Sequence, residues 1–162
     1  MNYHKIEKTS IANGEGIRVV LWVSGCSLHC RGCHNPETWN VKSGKPFDEE
    51  AKKELFKALD KPYIQGITFS GGHPLENENI SEVYNLCKEI KEKFPTKDIW
   101  LYTGYQFEDI NSYLIMKYID VLVDGAYIDE QKDITLKFRG SKNQRVIDVK
   151  KSLEENKVIL YY

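Results

Sequence analysis

Residues 17–35, IRVVLWVSGCSLHCRGCHN, join an apolar run directly to a loop that contains three cysteines. The run from Ile17 to Val23 is short and β-branched, which is typical of a buried strand. Cys26, Cys30 and Cys33 follow within eight residues. This stretch therefore predicts a strand with three thiols, which are soft metal ligands, in the loop at its carboxyl end.

Apolar runs of strand length recur further along the chain. They lie at residues 66–69, 98–102, 119–123 and 158–161. Helical patterns alternate with them, at residues 48–59, with Asp48 as the predicted N-cap, and at residues 80–94, 107–117 and 148–155. Strands that alternate with helices predict a mostly parallel α/β sheet with right-handed crossovers. Residues 127–143 have weak periodicity, so we expect them to be partly irregular.

The second predicted strand also leads into a distinctive loop, Ser70-Gly71-Gly72-His73-Pro74. Because parallel strands present their carboxyl ends along one rim of a sheet, we expect this loop to face the cysteine loop across one site. About five to six strands are too few to close an eight-stranded barrel. The predicted fold is therefore an open, partial (β/α) barrel that forms a single domain over residues 1–162.

Composition and charge exclude several classes of protein. The 162 residues carry 23 basic and 24 acidic side chains, a net charge of −1, which gives no reason to expect nucleic acid or an anionic membrane as a partner. No stretch approaches the ~20 apolar residues of a membrane helix, and the first residues have no apolar run typical of a signal peptide. We therefore expect a cytoplasmic protein, in which clustered cysteines indicate metal binding or catalysis rather than disulfides.

Two kinds of metal centre fit three thiols at this spacing. One is a zinc ion held by Cys26, Cys30 and Cys33 together with His29 or His34. The other is an iron–sulfur cluster with three protein ligands, which would leave one iron open for a small molecule. The residue types alone do not separate these two alternatives.

The motif Cys-x-x-x-Cys-x-x-Cys after a first strand resembles that of the radical S-adenosylmethionine enzymes. The runs GEGIRVVLWVSGC and CHNPETW on either side resemble the activating enzymes of glycyl-radical proteins. Three later blocks, WLYTGY, IDVLVDG and FRGSKNQRVIDVKKSL, are similar to the family that activates anaerobic (class III) ribonucleoside-triphosphate reductase. The resemblance extends from about residue 11 to about residue 153, and it implies a fold of the radical S-adenosylmethionine type.

This resemblance implies an oxidoreductase mechanism. Cys26, Cys30 and Cys33 would hold a [4Fe-4S] cluster, and S-adenosylmethionine would chelate the open iron. One electron would cleave its sulfonium C–S bond, and the resulting 5′-deoxyadenosyl radical would take a hydrogen atom from a glycine of the reductase. Reduced flavodoxin is the electron donor that the family suggests. No catalytic side chain is implied beyond the cluster ligands.

The resemblance also implies which residues bind S-adenosylmethionine: Gly32, Cys33, His34, Asn35, Gly71, Gly72 and His73. Position 32 is often aromatic in the superfamily and packs on adenine, but Gly32 offers only its backbone. For His34 and Asn35 the alternative is a structural role in turn hydrogen bonds.

His73 departs from the family pattern, in which an acidic residue follows the two glycines and binds the ammonium group of the cofactor. A neutral imidazole can accept a hydrogen bond, but it brings no negative charge. We therefore expect weaker cofactor binding, and binding that weakens further as the pH falls below the usual histidine pKa of ~6.5.

Other functions remain alternatives at this stage. Relatives of similar length activate pyruvate formate-lyase or make 7-carboxy-7-deazaguanine. The three later sequence blocks argue against both of these functions, but only through their resemblance to another family. A zinc-binding module of the Cys3His type without catalysis is the alternative from another class. Cys87, which the helical pattern places on an apolar face, is predicted to be a core thiol with no metal-binding role.

Overall fold

A single seven-stranded sheet organises the fold in a computed structural model that describes all residues, Met1–Tyr162. The strands are β1 Asn2–Ser10, β2 Arg18–Val23, β3 Lys45–Pro46, β4 Gly66–Gly71, β5 Asp98–Tyr102, β6 Val121–Asp124 and β7 Arg145–Asp148. The helices are α1 Glu49–Leu59, α2 Ile80–Lys93, α3 Phe107–Ile110 and α4 Val149–Glu155.

The strand order is β3-β1-β2-β4-β5-β6-β7. Strands β2, β4, β5 and β6 are parallel to one another and form the middle of the sheet. The β1–β2, β1–β3 and β6–β7 pairs are antiparallel, and β3 and β7 lie at opposite ends without pairing, so the sheet is open. The predicted α/β class with a parallel centre is confirmed, whereas the sheet has seven strands rather than five or six.

The predicted strand at residues 158–161 is wrong. Leu160 forms only an isolated bridge with Ile147, and the last strand of the sheet is instead β7, which returns antiparallel to β6. Strand β7 has only two apolar residues between Arg145 and Asp148, so its pattern was too short to recognise. Strand β1 was also missed, because its alternation of buried and exposed positions is interrupted.

Three of the four predicted helices are confirmed. Asp48 caps α1 by accepting a hydrogen bond of 2.9 Å from the Ala51 amide. The predicted helix at residues 107–117 is only partly right, because α3 ends at Ile110 and a 3-10 turn follows at Leu114–Lys117. Residues 127–143 are irregular apart from one 3-10 turn, Asp129–Gln131, and an isolated bridge between Lys132 and Ser141. None of the helices combines the length and the apolar character needed to cross a membrane.

The two faces of the sheet have different roles. On β5, Ile99 and Leu101 belong to a core cluster of 28 residues that includes the buried faces of α1 and α2. Trp100 points the other way, because side chains alternate along a strand, and it packs in a small cluster with Val121, Val123 and Val146. Cys87 is fully buried in the large cluster, as predicted. The second face is therefore the one left free for a cavity.

A buried arginine ties together the amino ends of the central strands. The Arg18 guanidinium is fully buried and lies 2.6 Å from the Asp98 carboxylate. It also donates to the Thr68 hydroxyl and to the Ile67 carbonyl, each at 2.9 Å. Arg18 thus links β2, β4 and β5 at the rim opposite the cysteine loop. Its role here is structural.

Candidate iron–sulfur and cofactor site

The cysteine loop leaves the carboxyl end of β2 and is held by backbone hydrogen bonds. The Cys26 amide donates to the Trp39 carbonyl at 3.0 Å, and the Cys33 amide donates to the Cys30 carbonyl at 3.1 Å. The His29 ring stacks on the Trp39 ring with centroids 4.4 Å apart. The loop also contains three residues with positive φ, Gly25 at 100°, His29 at 46° and Gly32 at 77°. These contacts fix a sharply turning loop with its thiols on the carboxyl rim.

The three thiols are free and half-buried. No group of three or more His, Cys, Asp or Glu side chains converges on a point as the ligands of one metal ion would. Thiolates that bind three different irons of a cluster do not need to converge in that way. The Asn35 amide donates to the Cys33 sulfur at 3.4 Å. The donor set therefore suits a cluster held by three cysteines.

The glycine loop packs directly against the base of the cysteine loop. The Gly72 amide donates to the Val23 carbonyl at 2.8 Å, and the His73 amide donates to the Gly25 carbonyl at 2.7 Å. A Cβ atom at Gly72 would lie 2.7 Å from that same Gly25 carbonyl oxygen, so only glycine allows this approach. Gly71 has φ +104°, which also favours glycine. The two loops predicted to face each other are therefore in backbone contact.

Glu76 connects the two loops through one carboxylate oxygen. Its Oε1 accepts hydrogen bonds from the Ser27 amide at 2.9 Å and from the Ser27 hydroxyl at 2.8 Å. The same oxygen lies 3.2 Å from His73 Nδ1. Because Ser27 follows Cys26 directly, Glu76 joins the cysteine loop to the imidazole of the glycine loop.

Both members of the His73–Glu76 pair have shifted pKa values. Burial lowers the pKa of His73, and the neighbouring Glu76 only partly offsets this. Burial would raise the pKa of Glu76, but hydrogen bonds from Ser27 and His73 outweigh it and leave that pKa below its usual value. At neutral pH Glu76 is therefore ionised and His73 is neutral.

These charge states fix the hydrogen-bond directions. An ionised carboxylate can only accept, so His73 Nδ1 carries the proton and His73 Nε2 has a lone pair. The Thr103 hydroxyl, 2.7 Å from Nε2, then donates to it. The Thr103 oxygen in turn accepts from the Tyr105 amide at 3.1 Å. A chain of hydrogen bonds thus runs from Glu76 through His73 to Thr103.

The Cys26 thiol is also perturbed. Burial raises its pKa, backbone amides of Leu28 and His29 partly offset that rise, and the nearby Glu76 carboxylate adds to it. In the absence of a metal this thiol therefore keeps its proton at neutral pH. A cationic metal centre would replace that proton.

A cavity of about 560 Å³ opens along the carboxyl rim of the sheet. It is lined by most of the predicted site residues: Cys26, Cys30, Cys33, His34, Asn35, Gly71, Gly72 and His73. Its volume lies in the ordinary range of sites for small molecules and cofactors. Residues from two distant parts of the chain therefore share one ligand-sized space.

Gly32 does not line this cavity. A Cβ atom at Gly32 would lie 2.4 Å from the Asp129 carboxylate oxygen, so a larger residue would require Asp129 to move, and the φ of 77° also favours glycine. The His34 ring packs on Tyr127 with centroids 5.3 Å apart. Asn35 precedes a 3-10 turn, Pro36–Thr38, and its carbonyl accepts from the Thr38 hydroxyl at 2.6 Å. His34 and Asn35 therefore line the cavity and also make structural contacts within the protein.

Sequence reasoning missed several residues of the site. Thr103 and Gly104 follow β5, and Gly125 and Ala126 follow β6, and all four line the cavity. Loops after parallel strands lie at the carboxyl rim of the sheet, and this rule would also have identified these four residues. Glu76 was missed because it acts through a neighbour. Its spacing of three residues from His73 was the available signal.

Comparison with known proteins shows the class of protein to which the chain belongs. The family described as 4Fe-4S single cluster domain matches residues 12–147. This range contains the cysteine loop, the glycine loop and all four parallel strands. The match and the three-thiol donor set together define an iron–sulfur protein.

The particular family follows from full-length relatives. The chain is 48% identical over 148 residues to the anaerobic ribonucleoside-triphosphate reductase-activating protein of Enterobacteria phage T4, covering 90% of this chain and 93% of that one. It is 41% identical over 150 residues to the protein of that name from Escherichia coli K12, covering 90% and 97%. The corresponding Vibrio cholerae protein is 41% identical, covering 89% and 96%. The chain belongs to the anaerobic ribonucleoside-triphosphate reductase-activating protein family.

Proposed function

We propose that the protein is a radical S-adenosylmethionine enzyme that activates anaerobic ribonucleoside-triphosphate reductase by generating a glycyl radical on it. One observation carries the proposal. Cys26, Cys30 and Cys33 line the same cavity as Gly71–His73, at the carboxyl rim of a parallel sheet. This arrangement allows a cluster and a small molecule to be held side by side. The names of the relatives support the reductase as the target.

The protein residues bind and orient in this proposal. Cys26, Cys30 and Cys33 would hold the [4Fe-4S] cluster, which supplies one electron for reductive cleavage of the sulfonium C–S bond. The Gly71–His73 backbone would lie against S-adenosylmethionine, since glycines permit close approach. His34 and Asn35 would contact the cofactor from the cysteine loop. The cavity walls would exclude water from the reactive species.

The open sheet supports access for a large partner. We propose that the sheet acts as a partial (β/α) barrel whose open side admits the reductase segment that carries the target glycine. Ile134 is 90% exposed and lies on the cavity lining, so the mouth offers an apolar contact. The partner would then complete the enclosure of the site. A glycyl radical formed as fast on an isolated peptide as on the intact reductase would contradict this.

We propose reduced flavodoxin as the electron donor and the cytoplasm as the place of action. The donor rests on the family resemblance. The compartment is supported by four free cysteines, which suit a reducing environment.

The test begins with anaerobic purification and reconstitution with iron and sulfide. The protein is then reduced and mixed with S-adenosylmethionine, with and without the reductase. We expect 5′-deoxyadenosine as a product and a glycyl-radical signal on the reductase by electron paramagnetic resonance.

Three other outcomes would change the proposal. Deoxyadenosine without a radical on the reductase would keep the chemistry and replace the target. A well-formed cluster with neither product would reject the cleavage reaction. A colourless protein that binds zinc but no iron would reject radical chemistry altogether.

A further inference from the structure

The Glu76 carboxylate is a buried negative charge without a cationic partner. The residue is only 9% exposed, and all three of its hydrogen-bond contacts come from uncharged groups, the Ser27 amide, the Ser27 hydroxyl and neutral His73. Asp124, the other buried acid on this rim, is paired with the Arg145 guanidinium at 2.6 Å. Hydrogen bonds from Ser27 and His73 stabilise this charge, and because no cationic side chain pairs with it, the charge is available to a positive group that enters from outside the chain.

Apart from the three cysteines, the lining of the cavity offers little negative charge. Among the residues that line it, the single carboxylate is Asp133, in the irregular segment 127–143, where Lys132 and Arg139 also line the wall. Thr103 and His73 stand between Glu76 and the cavity, and both line it. The Glu76 carboxylate is therefore connected to the cavity by two hydrogen bonds, one to His73 and one between His73 and Thr103.

We infer that Glu76 is the residue that positions the cationic amino group of S-adenosylmethionine, acting through His73 and Thr103. The inference rests on the proposed function and deepens it. Glu76 holds the proton of His73 on Nδ1, so that Nε2 receives the Thr103 hydrogen and the Thr103 oxygen keeps a lone pair for the ligand. The charge that position 73 lacks is supplied three residues later.

This arrangement suits S-adenosylmethionine, which carries both an ammonium and a sulfonium group. A carboxylate next to the binding site lowers the energy of a cationic ligand, and the effect is strong where water is excluded. The same carboxylate does not stabilise the binding of a neutral nucleoside such as 5′-deoxyadenosine, which has no positive charge. Comparison of these two ligands thus separates charge from shape.

The first experiment measures binding of S-adenosylmethionine and of 5′-deoxyadenosine to the reconstituted protein by equilibrium dialysis under anaerobic conditions. We expect Glu76→Gln to weaken S-adenosylmethionine binding about 10- to 100-fold, the range for loss of an interaction with a charged group. Binding of 5′-deoxyadenosine should not change. Glu78→Gln, an exposed acid two residues further on, is the matched control and should leave both affinities unchanged.

A second variant returns the charge to position 73. The double variant His73→Asp with Glu76→Gln should recover most of the lost affinity, because it moves the carboxylate closer to the ligand. Kinetically, Glu76→Gln should raise the KM for S-adenosylmethionine much more than it lowers kcat for 5′-deoxyadenosine formation.

The outcomes separate this inference from the proposed function. If the wild-type protein does not bind S-adenosylmethionine, the proposed function fails. If it binds and Glu76→Gln binds equally well, only the inference fails. Loss of the cluster absorbance in both the single and the double variant would assign Glu76 a purely structural role and would also overturn the inference.

Discussion

At the scale of single residues, the four cysteines divide into two kinds. Cys26, Cys30 and Cys33 are half-buried and line the cavity, whereas Cys87 is fully buried in the large core cluster. Burial also raises the pKa of the Cys87 thiol strongly, so it is inert toward metals at neutral pH. Position in the fold, rather than residue type, separates the ligands from the core thiol.

Replacement of any one of the three loop cysteines by alanine should abolish the stable cluster, because two thiolates leave half of its irons without a protein ligand. The measurement is iron and sulfide content together with visible absorbance after anaerobic reconstitution. Cys87→Ala is the control and should bind a full cluster, at a cost of about 1 kcal/mol in unfolding free energy for the small cavity. Full iron content in Cys30→Ala would show that this residue is not a ligand.

The His73 pKa predicts a pH dependence of stability. Burial lowers this pKa in the folded protein, so on acidification the unfolded chain takes up the proton first, near its usual pKa of ~6.5. The contribution of neutral His73 is fully present above that pH and is lost as the pH falls from there toward the folded pKa. For the same reason, loss of cofactor binding should begin at a lower pH than the sequence suggested.

Urea unfolding of the apoprotein at several pH values between about 7 and 5 tests whether stability falls on acidification as predicted. Wild type should lose more stability on acidification than His73→Gln. His4→Gln, whose ring bonds only the Ser43 hydroxyl, is the comparison for a histidine outside the site. Parallel pH profiles for wild type and His73→Gln would contradict the prediction.

At the scale of secondary-structure elements, the two rims of the sheet are built differently. The carboxyl rim consists of loops in backbone contact, such as Gly72 against Gly25. The amino rim is held by the Arg18–Asp98 pair, with the guanidinium over the Trp100 ring at 5.3 Å. The rim opposite the cavity is therefore cross-linked by a buried guanidinium, while the site combines close backbone packing with the hydrogen bonds of Glu76.

Arg18→Ala should lower the free energy of unfolding by about 3 kcal/mol, because it leaves Asp98 without its partner and removes hydrogen bonds to β4. Lys53→Ala is the matched control, since Lys53 pairs with Glu50 on the exposed surface of α1 at 3.7 Å. Its effect should stay within about 0.5 kcal/mol. Equal losses in the two variants, measured by urea unfolding, would refute the assigned role of Arg18.

At the scale of the whole molecule, the chain end closes the face of the sheet that carries the cavity. The Tyr161 ring packs on Trp100 with centroids 5.6 Å apart, and the Tyr162 ring lies 6.0 Å from Phe138. Both tyrosine hydroxyls donate to the Glu15 carboxylate before β2. Residues 161–162 thus join the segment that precedes β2 to the small core cluster around Trp100.

Deletion of Tyr161 and Tyr162 should therefore expose Trp100 and lower the unfolding free energy by about 1–2 kcal/mol, the scale of lost aromatic contacts. The measurements are tryptophan fluorescence, which should shift to longer wavelength, and urea unfolding. Tyr63→Ala, which removes an exposed tyrosine, is the control. Cluster content should remain unchanged, since the deleted residues do not line the cavity. A deletion variant with unchanged fluorescence and stability would argue against this role.

Local sequence patterns were sufficient to predict the four parallel strands, the helices α1, α2 and α4, and the three thiols at the end of β2. Each of these depends on a pattern of neighbouring residues, which is why it can be recognised locally. The edge strand β7 was missed and the helix at α3 was predicted too long, because their local patterns are weak and their neighbours decide their structure.

The hydrogen bonds that connect the residues of the site could not be predicted from local patterns. The hydrogen bond between Thr103 and His73 joins residues 30 positions apart in the sequence, and the bonds from Ser27 to Glu76 join residues 49 positions apart. No local pattern encodes such contacts, since they exist only after the parallel strands bring their carboxyl ends together. A histidine that the sequence presented as an uncharged substitute for an acid therefore becomes, in the fold, the neutral link between a buried carboxylate and the cavity.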